Sequence, residues 1–170
     1  MMRRFSLTPD LITGVAEIDA QHRALLALAN QVLDTPDEAS PATFLRAVSF
    51  LARYIIDHFA AEEAVMAQAG YPGARFHLEF HARLRRETAE IVTCSQREGA
   101  SKKVKLAVSF MLEDWLIYHI RETDRELANF LRDHSAGGTV LGLPEIRPLR
   151  STGDGAGSIE TAIAAVARAR

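Results

Sequence analysis

The histidines of this chain stand at informative distances from one another and from carboxylates. His58 is followed at four residues by Glu62, His77 at four by His81, and His119 at five by Asp124, while His22 stands alone near the start. Imidazole and carboxylate are donors that divalent transition metals accept. Positions four apart on a helix lie about 6 Å apart along the axis and about 40° apart around it, so each such pair can converge on one site. Together, His22, His58, Glu62, His77, His81, His119 and Asp124 suit a pair of metal ions held between helices. The step from His119 to Asp124 fits least well. On an ideal α-helix it leaves Asp124 about 140° round from His119, so either a wound-out turn or a reach from the helix flank is required. A lone HxxxH or HxxxE arises often by chance. The rival reading, core histidines satisfied by backbone or water, would need several independent coincidences on successive segments.

The elements that must carry these side chains are helices. A first runs from about Glu17 to Leu33, with Ile18, His22, Leu25, Ala29 and Val32 recurring along one face, and Thr35-Pro36-Asp37 breaks it. Ser40-Pro41 reads as an N-cap followed by proline in the first turn. Behind it, Phe44, Val48, Leu51, Ile55, His58, Glu62 and Val65 form a bundle seam, which Gly70 ends. Pro72 is expected to restart the chain into a third helix with Phe76, His77, Phe80, His81, Leu84, Thr88 and Ile91 inward, stopped by Gly99. Ser101 caps a fourth, with the stripe Val104, Val108, Met111, Trp115, His119, Glu122 or Thr123, Leu127 and Phe130, ended by Gly137-Gly138. Long amphipathic helices with short connections predict an all-α fold, an up-down-up-down antiparallel four-helix bundle over residues 1–134, preceded by an irregular N-terminal arm. Residues 135–170 form an extension whose stretch from Ser135 to Ser158 is rich in Gly, Pro, Ser and Thr and reads as a linker. Ser158 could cap a short helix within it, with Ile159, Ile163 and Val166 on one face. So short a helix docks on something or frays, and the extension is a candidate contact for a protein partner.

Composition narrows the class. The chain has 170 residues, 48% hydrophobic and 25% charged, an ordinary globular balance large enough for one cored domain. A net charge of −2 offers no electrostatic footing for nucleic acid or an anionic membrane. The single Cys94 excludes an internal disulfide framework and is read as a small hydrophobe. Met1-Met2-Arg3-Arg4 has no apolar run behind it, so it is not a secretory signal, and no stretch approaches the roughly 18 apolar residues of a spanning helix. A cytoplasmic address is expected. On the helix seams, Glu62 and Asp124 have no Lys or Arg at neighbouring inward positions. An ionised carboxylate there is unfavourable by several kcal/mol unless paired or bound to metal, and an external cation is the simplest compensation. Spacing alone would admit manganese or zinc as well as iron.

Four stretches carry a family resemblance: Gly14-x-x-x-Ile18-Asp19-x-Gln21-His22; His58-Phe59-x-x-Glu62-Glu63-x-x-Met66; Tyr71-Pro72-x-x-x-x-His77-x-x-x-His81; and Trp115-x-x-x-His119-Ile120-x-x-x-Asp124. Over about residues 7–133 the chain resembles the bacterial hemerythrins. The resemblance implies a four-helix bundle around two non-haem irons. It implies that His77, His81 and His119 bind one iron, that His22 and His58 bind the other, and that Glu62, Asp124 and a solvent oxygen bridge them. On that count one iron keeps an open position, where dioxygen would bind. The implied function is reversible dioxygen binding for storage, delivery or sensing, not catalysis. Di-iron oxygenases in bundles use four carboxylates, whereas five neutral imidazoles favour the ferrous pair. The resemblance also implies a dioxygen pocket lined by Leu25, Phe59, Trp115 and Leu116. One departure is Leu7, where family members often carry a Trp; a roomier pocket there would favour the alternative, a di-iron enzyme reducing nitric oxide or peroxide. Glu63 is expected to be solvated or to touch a ligand histidine from outside, and His134 to be solvated.

Overall fold

Local sequence sets the ends of the helices. In the computed structural model, which describes residues 4–134, α1 spans Ala16–Leu33, α2 Pro41–Ala69 and α3 Ala74–Glu98. The Ser40 hydroxyl accepts the Thr43 amide at 3.2 Å, and Pro41 opens α2, where its missing N–H is no loss. Gly70 closes α2 at φ 63°, a left-handed conformation that only glycine adopts without steric penalty. α3 begins two residues later than the expected restart at Pro72. Tyr71-Pro72-Gly73 is a turn closed by the Ala74 N–H donating to the Tyr71 carbonyl at 3.1 Å. The Tyr71 ring folds over Gly73 so closely that a Cβ there would lie 2.6 Å from it.

The fourth rod is not uniform. After Ser101, whose hydroxyl accepts the Val104 amide at 3.3 Å, α4 covers Lys102–Phe110. A π-helical turn then covers Met111–Leu116, a short α5 Ile117–His119, a second π turn Ile120–Asp124, and α6 Arg125–Asp133. In a π turn the hydrogen bond reaches back five residues instead of four, as the Ile117 amide does to the Leu112 carbonyl. The four rods make an all-helical four-helix bundle, with no strand among the described residues. No helix among them is long and apolar enough to cross a membrane. The expected extension over 135–170, with its Ser158 helix, lies outside the described residues, as does Gly137-Gly138.

Two apolar clusters fill the bundle. The larger holds Leu25, Phe44, Phe59, Leu84, Leu112, Leu116 and Ile120; the smaller holds Ile18, Val65, Met66 and Leu127. Along each rod the chemically active residues fall between members of the two: His22 between Ile18 and Leu25, Glu62 between Phe59 and Val65, Asp124 between Ile120 and Leu127. The donors therefore form a polar layer sealed above and below by hydrocarbon. The inward stripes hold with four corrections. Phe76 is 57% exposed, because His77, His81 and Leu84 set the inward face of α3 and Phe76 stands one step, about 100°, to its side. Phe80, Trp115 and Phe130 are only half-buried; on the fourth rod Leu112, Leu116 and Leu131 take the core positions instead. Of the two candidates at the next position, Thr123 is buried and Glu122 is exposed.

The arm is tied down by polar contacts. The Asn30 side chain accepts the Phe5 amide at 2.9 Å and donates to the Phe5 carbonyl at 2.7 Å. Asp19 accepts the Thr13 amide and hydroxyl at 2.8 and 2.9 Å. Leu7 packs half-buried against the larger cluster. On the connection between α1 and α2, the buried Lys105 ammonium donates to the Thr35 carbonyl and to Asp37. Lys105→Met would leave that carbonyl without its cationic donor. The expected loss is about 1–3 kcal/mol, read as a lower urea midpoint with unchanged slope; an unmoved midpoint would show that the clamp is dispensable.

Candidate metal centre

All seven expected donors converge in the polar layer. His22, Glu62, His81, His119 and Asp124 are 0% exposed, and His58 and His77 are 1% exposed. They form two overlapping groups, Glu62–His77–His81–His119–Asp124 and His22–His58–Glu62–Asp124, within each of which the donor atoms all lie within 4.8 Å of one another. Only the two carboxylates belong to both groups. The awkward five-residue step is resolved by the second π turn. Its extra residue brings Asp124 round onto the His119 face, with Asp124 Oδ1 3.0 Å from His119 Nε2. Of the two routes open to the sequence, a wound-out turn is the one taken.

Three outer contacts orient the rings. The Gln21 amide oxygen lies 2.8 Å from His58 Nδ1, so that nitrogen carries the proton and Nε2 faces inward with a free lone pair. Thr123 Oγ1 lies 2.5 Å from His119 Nδ1 while its own proton goes to the His119 carbonyl at 2.8 Å. A hydroxyl with its one proton engaged can only accept from the ring, which fixes the same tautomer. Glu63 Oε1 lies 2.8 Å from His81 Nδ1, so Glu63 is an outer partner rather than a solvated carboxylate. Sequence reading named Gln21 only as a motif residue and Thr123 only as a seam residue. The four-residue step from His119 to Thr123 was the available signal. Thr123→Val keeps the volume but removes the acceptor. Metal affinity is expected to fall by about 10–100-fold in a titration of the metal-free protein; unchanged affinity would show that His119 needs no such partner.

The electrostatics describe a cluster waiting for a cation. Burial opposes ionisation of Glu62 and Asp124, yet the surrounding imidazoles hold both well below the usual carboxylate range. Burial pushes His58 down to about 4 despite Glu62 beside it, and it also lowers His119. At His77 burial is outweighed by Asp124 and Glu62, which raise it to about 10. Without metal, an imidazolium at His77 is the counter-charge to two buried carboxylates. Many contacts in the layer are close without being aligned. His22 Nε2 is 3.1 Å from Asp124 Oδ2 and His77 Nε2 is 3.1 Å from Asp124 Oδ1. Yet His22 Nε2, His58 Nε2, His77 Nε2, Glu62 Oε1 and both Asp124 oxygens lack a hydrogen-bond partner. Buried polar atoms are rarely left so. Donor atoms crowded within 4.8 Å of one another yet left unpartnered fit metal ions.

Hydrocarbon and rings surround the donors. Phe59 is fully buried and stacks on His81 with centroids 3.9 Å apart at 12°. Leu25 and Leu116 are 0% and 1% exposed. Trp115 packs half-buried against the larger cluster, with Arg83 Cζ 3.1 Å from its ring centroid.

The comparisons with known proteins agree with this geometry. The family model described as Hemerythrin HHE cation binding domain matches residues 13–131. The chain is similar to the bacteriohemerythrin of Pseudomonas aeruginosa (strain PAO1), 30% identical over 137 residues, covering 76% of this chain and 88% of that one. It is also similar to the bacteriohemerythrin of Methylococcus capsulatus, 25% identical over 113 residues, covering 66% and 85%. A third relative is a hemerythrin-like protein of Naegleria gruberi, 24% identical over 127 residues, covering 75% and 93%. No solved structure matches. With a domain whose family implies a non-haem di-iron centre, and a buried His/Glu/Asp cluster able to hold metal ions, this chain belongs to the hemerythrin family.

Proposed function

We propose that the chain binds dioxygen reversibly at a di-iron centre. In this reading His77, His81 and His119 hold one iron, His22 and His58 hold the other, and Glu62 and Asp124 bridge the two. When bound, such an iron pair would supply the redox chemistry that dioxygen binding needs. The observation that carries the reading is the unequal division of donors: three histidines and two carboxylates in one group, two histidines and the same carboxylates in the other. The second group is one donor short, which leaves room for a small ligand on the iron held by His22 and His58.

The remaining work falls to the chain itself. Gln21, Thr123 and Glu63 keep the inward nitrogens unprotonated. Leu25, Phe59 and Leu116 exclude water from the layer, and Trp115 packs half-buried against the same cluster. Leu7, in the arm position where a Trp is common in the family, packs half-buried against the larger cluster. The test is an absorption spectrum of the iron-loaded, reduced protein under argon, then with dioxygen, then under vacuum. An oxygen-dependent spectrum that reverts is the expected result. Irreversible oxidation at first exposure, or sustained consumption of nitric oxide or peroxide with an electron donor, would replace the carrier with an enzyme.

A further inference from the structure

Among the outer partners, the one on His81 differs in kind. Gln21 and Thr123 are neutral acceptors, whereas Glu63 is a carboxylate, and hydrogen bonds to ionised groups are about twice as strong as neutral ones. The Glu63 oxygen that accepts from His81 Nδ1 also accepts from Arg85 Nη1, each at 2.8 Å. Arg85 stands four residues after His81, on the same face of α3. Its side chain is 16% exposed, and its Cζ lies 5.4 Å from the centroid of Phe59, the ring stacked on His81. The guanidinium thus borders both groups that touch the outer side of this imidazole.

We infer that Glu63 and Arg85 form a charge-balanced pair that sets the donor strength of His81, Glu63 raising it and Arg85 limiting the rise. This rests on the proposed role of His81 as an iron ligand. A carboxylate pulling on the Nδ1 proton makes the ring more anionic, which favours ferric over ferrous iron at Nε2. A guanidinium on the same oxygen withdraws part of that pull. Both are positioning residues that act through His81, and both belong to the iron with three histidines, not to the one with the vacancy. The arrangement would let oxidation potential be adjusted without replacing a ligand of either iron.

The signature is a pair of opposite signs. Glu63→Gln keeps a hydrogen-bond acceptor but removes the charge, and it should favour the ferrous form by about tenfold, about 59 mV upward for a one-electron couple. Arg85→Met should shift the midpoint downward by a similar factor, and Arg85→Lys, which restores the cation, should lie near wild type. Spectroelectrochemistry of the iron-loaded proteins reads the potentials. The His81 ring proton in nitrogen-15 spectra of the zinc-loaded proteins reads the hydrogen bond without iron, and it should move in opposite directions in the Gln and Met variants. If Glu63 and Arg85 merely brace the helix pair, both substitutions loosen His81 and shift both readouts the same way; that result, or no shift in normally loaded variants, overturns the inference alone. Wild-type protein that binds no iron overturns the ligand assignment and this inference with it.

Discussion

Glu62→Gln is expected to yield a folded bundle that no longer loads two metal ions. Glu62 is fully buried, its Oε1 3.6 Å from His58 Nε2 and its Oε2 3.5 and 3.2 Å from the Nε2 atoms of His77 and His81. It shares with Asp124 alone the property of belonging to both donor groups, so its loss weakens two metal positions at once. The amide matches the carboxylate in volume, so packing is kept. Asp124 still faces the His77 imidazolium, so the substitution leaves no lone buried charge, and the helical circular dichroism of the metal-free protein should be unchanged. The amide carries no charge and has one oxygen donor in place of two. The fall in affinity should exceed the about 10–100-fold expected of an outer partner, with metal content dropping from two ions per chain to one or none. A Gln variant that holds two irons with wild-type affinity would show that Glu62 is not a bridge.

Removing metal from the wild-type protein should lower its melting temperature by about 16–32 °C. The metal-free layer keeps two carboxylates ionised against burial, and several of its atoms have no hydrogen-bond partner. Ions that bind only the folded state stabilise it by mass action, about 4 kcal/mol each at a thousandfold excess over the dissociation constant. Two ions then contribute about 8 kcal/mol, comparable with the entire stability of many domains. At about 2–4 °C per kcal/mol for a chain of this size, the shift is large enough to read in a single calorimetric scan with and without chelator. Coincident melts would mean that the donors are satisfied without metal, the bland reading of the same histidines.

Much of this was legible from local signals, because they depend on few residues. Ser40 with Pro41, Gly70 and Ser101 mark helix ends through their own backbone and hydroxyl chemistry, and they do so in the structure. The paired donors could be found because a helix converts a four-residue step into a shared face. Glu63 with Arg85 was not legible. Arg85 follows Glu63 at 22 residues on another helix, and only the packing of α2 against α3 brings them to one oxygen. Phe76 and Trp115 were misplaced because an idealised stripe has no means of knowing where a neighbouring rod ends or where a helix widens.

The sequence by itself determined the helical segments, the identity of the seven candidate donors and the family to which they point, since each is a matter of residue type and periodicity. The tertiary structure decided the two π turns, the division of the donors into overlapping groups and the outer partner of each oriented ring. The physical reason lies in the fourth rod. His119 Nε2 and Asp124 Oδ1 lie 3.0 Å apart, whereas about 100° per residue would leave the two residues about 140° apart round a regular α-helix. The wider turn brings the two donors together within the packed bundle, and no local propensity encodes it.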